Sequence, residues 1–207
     1  MKGAIQMSNL ENYMKQQAIF CEQNDSISKN LYSEYGVKRG LRDEKGQGVL
    51  TGLTNISDIK AFEYHDGVKS PCDGELSYRG YNIKDLVTGS KGKRFVFEEG
   101  AYLLLFGELP TDTQLMEFQG RLSDCMELPT NFTRDVIMKA PTSDIMGSMT
   151  RSILTLGSYD KEKESLEIPN VLRQSMQLIA VFPMLAVYAY HAYCHYEKNE
   201  SMYIHRP

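Results

Sequence analysis

From Gln174 to Tyr196 the chain carries no formally charged side chain, and that stretch constrains the fold more than any other feature. It is long enough to span a bilayer. It also contains Pro183, two His, four Tyr and three Gln or Ser, which a lipid-facing helix accommodates poorly. The segment therefore reads as a buried core helix, starting near Pro169 in its first turn and running to about Tyr196. A helix this apolar needs partners on most of its faces. Because it is nearly the last element, the pattern suggests a truncated chain or a large oligomer interface.

The elements before it divide into three stretches. Residues 1–48 read as a helical extension and linker. Leu10, Met14, Ala18 and Cys21 share one face of a helix over Asn9–Glu22. Asp25 or Ser26 is placed to cap a second helix that Gly36 ends, and Lys38–Gly48 is a charged, glycine-rich connector. Residues 49–83 read as a small antiparallel meander. Asp66-Gly67 between two apolar runs predicts a hairpin turn, and Asp73-Gly74 predicts a second turn before a strand over Glu75–Tyr81.

Residues 84–207 read as helical throughout. Asn82 is expected to cap a short helix through Val87. Phe97–Phe106 precedes Gly107 and Pro110, and Thr111 with Gln114 forms a capping box ahead of Leu115, Phe118, Leu122 and Met126. A short helix over Thr130–Lys139 stops at Pro141. Ser143 caps a longer helix carrying Ile145, Met149, Ile153 and Leu156, and Asp160–Glu167 is a charged loop. The methionines Met138, Met146, Met149, Met176 and Met184 read as core filling. The resulting class is mainly α with a small β-meander near the N-terminus.

Charge and cysteine usage narrow the function. A net charge of -4 without a basic block gives no nucleic-acid groove and no long-range attraction for anions, so any anion site is built locally. Cys21, Cys72, Cys125 and Cys194 are too widely spaced for a secreted disulfide framework and read as reduced thiols of a cytoplasmic protein. The first residues lack the apolar core of a signal peptide.

The sharpest cluster is His191, Cys194 and His195. The two histidines fall at i and i+4 of a helix, as paired metal ligands would. No Glu follows His191 in the zinc-protease manner, and polar tips at the wet end of an apolar helix explain the same pattern. His65 adjoins a turn. His205-Arg206 could contribute to an anion site or form a solvated tail. Lys45-Gly46-Gln47-Gly48 is a glycine loop with a lysine, but a phosphate loop needs a strand before it and a helix after it.

Two longer segments go further. Asp73-Gly74-Glu75-Leu76-Ser77-Tyr78-Arg79-Gly80-Tyr81-Asn82-Ile83-Lys84-Asp85-Leu86 and Phe97-Glu98-Glu99-Gly100-Ala101-Tyr102-Leu103-Leu104-Leu105-Phe106-Gly107-Glu108-Leu109-Pro110-Thr111 together resemble the citrate synthase family. Asp144–Asp160, Leu178–Tyr190 and Tyr203–Pro207 resemble the segments that follow in that family, so the likeness runs from about Gly48 to Pro207. It implies the N-terminal portion of the large domain of a mostly helical homodimer of the tricarboxylic acid cycle, paired through helices 143–158 and 169–196. It implies condensation of acetyl-CoA with oxaloacetate to citrate and CoA, with no tightly bound cofactor; the apolar, Tyr-rich setting of His191 and His195 separately predicts no functional metal there. The family takes its catalytic Asp, His and Arg residues from motifs in the half that follows this stretch. None of His65, His191, His195 or His205 sits in a matching motif, so no catalytic, cofactor-binding or metal residue carries over, and the chain by itself is expected to be inactive. 2-Methylcitrate synthase, which uses propionyl-CoA, and a non-catalytic assembly or regulatory module are the rival readings.

Overall fold

The structure is a computed structural model and describes residues 2–24, 27–38, 40–42, 45–48, 52–89 and 96–204. Two compact units divide between Thr54 and Asn55.

In the first unit, α1 spans Lys2–Asn24, longer than its apolar stripe predicts. Met14, Ala18 and Cys21 of the expected face are exposed, so that face buries little within this unit. Helix α2 spans Lys29–Glu34 with Ser28 at its N-cap; Asp25 and Ser26, the expected caps, lie outside the described residues. Gly36, at φ +62°, ends it. Val37 N–H donates to the Tyr32 carbonyl at 2.8 Å and Gly36 N–H to that of Ser33 at 3.2 Å, the two reversed bonds of a Schellman motif. The connector then closes on itself through a bridge between Arg42 and Gly48.

The second unit begins with an antiparallel sheet, β1 (Ser57–His65), β2 (Val68–Tyr78) and β3 (Tyr81–Asn82), in the order β1-β2-β3. Asp66 and Gly67 both have positive φ and join β1 to β2 with His65 opposite Val68, as a type I′ turn requires. The expected second turn at Asp73-Gly74 is not there. Lys60 pairs with Glu75 and Phe62 with Pro71, so Cys72–Gly74 lie opposite Ala61 alone. The Asp-Gly pair is absorbed as a bulge, which tolerates the extra residues by bending the strand. The turn comes at Arg79-Gly80, at φ +49° and +86°, with Tyr78 opposite Tyr81.

Helices follow. Asn82 Oδ1 accepts from Lys84 N–H at 2.9 Å and opens α3 (Ile83–Gly89). Helix α4 (Val96–Phe106) ends in a bond from Gly107 N–H to the Leu103 carbonyl at 2.9 Å, with Gly107 at φ +87°. The predicted capping box forms with both arms and starts α5 (Asp112–Asp124). Only Thr133–Ile137 of the expected helix after Thr130 is regular, and it is a single π turn. Helix α6 (Ile145–Gly157) is capped by Asp144, whose carboxylate accepts from Gly147 N–H at 2.9 Å, rather than by Ser143. Asp suits the cap because its anion meets the positive helix end.

The apolar stretch becomes α7 (Ile168–Lys198), with Pro169 in its first turn and Asn199 as a left-handed C-cap. By length and composition it could cross a membrane, yet its apolar residues form the spine of two packed clusters. Ala180, with Met176 and Ile179, meets Ala101, Phe118 and Leu122 of α4 and α5. From the next residue on, Val181, Leu185, Tyr188 and Ala189 meet Phe132 and Ile137 and the inner side of α6. Phe118 meets Tyr102 and Phe106 edge to face at 5.5 and 6.0 Å, arrangements that favour the ring quadrupoles, and Tyr102 and Phe106 lie tilted at 4.6 Å. Met149, Met176 and Met184 fill these clusters, whereas Met146 is 73% exposed and is not core filling within this chain.

Candidate functional site

The residues singled out by sequence do not converge. His65 lies on the exposed hairpin and faces Glu63 at 2.9 Å. His191 packs edge-on between Tyr190 and Tyr203, at 5.7 and 5.8 Å. One turn later, His195 Nδ1 is 2.8 Å from the Glu200 carbonyl oxygen, which ties the ring to the end of its own helix. Cys194 is buried, 1% exposed. Its hydrogen bond with the Tyr190 hydroxyl, and its charge when ionised, push that hydroxyl above its ordinary value against the pull of Lys198. Among the described residues no group of three His, Cys, Asp or Glu could hold a metal ion. His205 and Arg206 lie outside the described residues.

Two arginines that sequence reasoning passed over hold backbone instead. Arg79, on the turn of the Ser77–Tyr81 motif, donates from Nη2 to the Leu104 carbonyl at 3.1 Å. That oxygen belongs to the last turn of α4, where carbonyls lack helical donors and favour a cation. Gly107 lies against the guanidinium, since a Cβ there would sit 3.9 Å from Arg79 Cζ. The motif thus ties the sheet to α4. Arg151 of α6 reaches the carbonyls of Val136 and Ala140 at 3.4 Å each and closes the π turn in the same way. The buried Nε atoms of both arginines find no partner among the described residues.

A third arginine fixes the charged loop to α7. Arg173 Nη2 is 2.9 Å from both oxygens of Asp160, and Gln174 donates to the same carboxylate at 2.9 Å. The Gln174 and Arg173 hydrogen bonds, with Glu162 N–H, hold the Asp160 carboxyl below its ordinary value of 3.8. Asn170 completes the junction by donating to the carbonyls of Glu162 and Ser165. These contacts order backbone.

The outer side of the α6–α7 pair is different in kind. Met146 and Leu154 are each 73% exposed on α6, and Leu178, Phe182 and Val187 are about two-fifths exposed on α7. Gly147, Thr150, Arg151, Leu154, Thr155 and Ser158 line a shallow groove along α6. A surface this apolar is unusual unless something covers it.

Comparison with known proteins gives this geometry a context. A family model described as "Citrate synthase, C-terminal domain" matches residues 41–206. The chain is 30% identical over 154 residues to a citrate synthase of Saccharolobus solfataricus, covering 74% of this chain and 35% of that protein. It is 34% identical over 116 residues to a 2-methylcitrate synthase of Shewanella oneidensis, covering 56% and 28%. The chain thus spans about a third of the length of these relatives. Among solved structures, the citrate synthase of Pyrobaculum aerophilum superposes with a TM-score of 0.58 at 25% identity, over 73% of this chain and 36% of that one. The citrate synthase of Thermoplasma acidophilum, solved with carboxymethyl coenzyme A and oxaloacetate, shares the fold with a TM-score of 0.58 at 18% identity, over 77% and 37%.

Proposed function

This chain belongs to the citrate synthase family, and on that premise we propose that it is the N-terminal portion of the large domain of an acyltransferase that condenses acetyl-CoA with oxaloacetate to citrate and CoA. The observation that carries the reading is the continuous family match over residues 41–206. In this reading the chain is frame rather than machinery. The acetyl methyl group is a weak acid, so its deprotonation needs a carboxylate base and donors for the enolate oxygen held together in one cleft. His65 lies on the hairpin beside Glu63, His191 packs against Tyr203, and His195 is tied to the Glu200 carbonyl oxygen. The catalytic groups are supplied from outside this stretch, with no metal and no tightly bound cofactor.

The reading extends to assembly and location. The exposed side of α6 and α7 pairs with its copy across a two-fold axis, an arrangement in which one apolar patch can cover itself. The cysteines, described as free thiols, suit a reducing cytoplasm. The likeness to a 2-methylcitrate synthase keeps one second reading in play, the same reaction with propionyl-CoA. The test is a thiol-release assay on the gene product that carries this chain, with each acyl-CoA. Oxaloacetate-dependent release with a higher kcat/KM for acetyl-CoA supports the first reading, and a preference for propionyl-CoA selects the second. A reading frame that stops at Pro207, with no release, would favour a non-catalytic module.

A further inference from the structure

The order β1-β2-β3 makes β1 an edge strand, with no neighbour on its outer side among the described residues. β3 pairs only with Ser77 and Tyr78 of β2, so most of the hairpin is two-stranded. Such a hairpin is marginal by itself and gains stability from a further strand or a covering layer. Eight of the nine residues of β1 are exposed, and Glu63 is half-buried. Ile59, Phe62 and Tyr64 therefore stand in solvent beside the open edge. Glu63 and His65 meet at 2.9 Å, and Lys69, opposite Tyr64, lies 4.0 Å over the Phe62 ring. Charged residues on an edge ordinarily deter pairing with another strand. Asp58, Lys60 and Glu63 do so against an arbitrary partner, but not against a second β1.

We propose that β1 is a self-association edge that pairs antiparallel with β1 of a second copy, with Ile59 opposite Tyr64. In that register Lys60 faces Glu63, Asp58 faces His65 and Ala61 faces Phe62, and a two-fold axis repeats each pair. No like charges meet, and aromatic with β-branched pairs add to the pairing. Shifting the register by two residues sets Asp58 against Glu63 in one direction and Lys60 against His65 in the other, so the charges specify one alignment. The irregularity between Lys60 and Phe62 falls at the axis, where both copies bend together. A carboxylate accepts on two oxygens, so the contact of Glu63 with His65 leaves room for a lysine. The result is one continuous sheet of two hairpins. It uses none of the α6–α7 surface and stands apart from the acyl-transfer reading.

Sedimentation of the whole 207-residue chain at low salt tests it, in a Leu154→Glu background that places a charge on the exposed side of α6 and so removes pairing there. A concentration-dependent dimer is expected. One variant combines Lys60→Glu with Glu75→Lys, which keeps opposite signs across β1 and β2 and leaves the net charge unchanged. The other is Glu63→Lys. Each alone should self-associate about tenfold more weakly, because two symmetric cross-strand pairs become like-charged. An equimolar mixture of the two should recover the association, since every such pair between them is again of opposite sign. The mixing result decides the edge whether or not Leu154→Glu alters the mass. A chain that stays monomeric at the highest concentration, variants that associate as well as their parent, or a mixture as weak as its components would overturn the proposal.

Discussion

Arg79→Ala isolates the junction between sheet and helix bundle. It deletes the guanidinium that holds the Leu104 carbonyl at 3.1 Å and leaves the last turn of α4 without that donor. A hydrogen bond from a charged donor contributes about 1.5–3 kcal/mol, and a cation at an exposed helix C-terminus about 0.3–1 kcal/mol. Arg79 is only partly buried, so the low end applies and the expected loss is about 2 kcal/mol. Alanine keeps the left-handed backbone at φ +49°. Arg79→Gly relieves that strain, about 1–2 kcal/mol, but adds freedom to the unfolded chain, about 0.4–1 kcal/mol. Arg79→Gly should therefore be milder than Arg79→Ala by about 0.5–1 kcal/mol. Urea unfolding followed by circular dichroism measures both, and with a slope of about 2 kcal/mol/M the alanine variant shifts the midpoint by about 1 M. A loss below about 0.5 kcal/mol for Arg79→Ala, or a glycine variant less stable than the alanine one, would refute the reasoning.

Other substitutions probe the remaining joints. Leu185→Ala opens a cavity where a side chain 1% exposed meets Phe132 and Ile137, and should cost about 2–5 kcal/mol in the same assay. Ala140→Gly should stabilise by about 0.5–1 kcal/mol, because alanine at φ +47° is strained; a lower melting temperature would contradict this. Asp160 has a folded value below 3.8, so its contribution is present above that pH and is lost as pH falls through the lowered value. Asp160→Asn should therefore lower stability at neutral pH and flatten the acid limb of a stability–pH curve, whereas an unchanged acid limb would remove Asp160 from the account. Light scattering at micromolar concentration should give at least twice 23.6 kDa, and a clean monomer would exclude pairing through α6 and α7.

The long helix, the capping box and the Asp66-Gly67 hairpin were legible because each rests on a local rule: apolar length, reciprocal side-chain bonds, cheap positive φ. Asp73-Gly74 misled because a bulge satisfies the same preference as a turn. The true turn at Arg79-Gly80 was hidden because arginine at positive φ is locally unfavourable and is stabilised by a carbonyl 25 positions along the chain. The outward face of α7 was only half legible. Its pattern announced burial on several sides, but sequence could not divide α4 and α5 from α6 as the covering partners. The His191–His195 spacing did describe one helix face, and among the described residues no third ligand joins it.

The division of labour between frame and chemistry is tested most directly by assaying this 207-residue chain alone for thiol release from acetyl-CoA with and without oxaloacetate. The account predicts no oxaloacetate-dependent release above background, because in the proposed reading the base and the enolate donors come from outside this stretch and these groups provide most of the barrier lowering. Saturable, oxaloacetate-dependent turnover by the chain alone would contradict it.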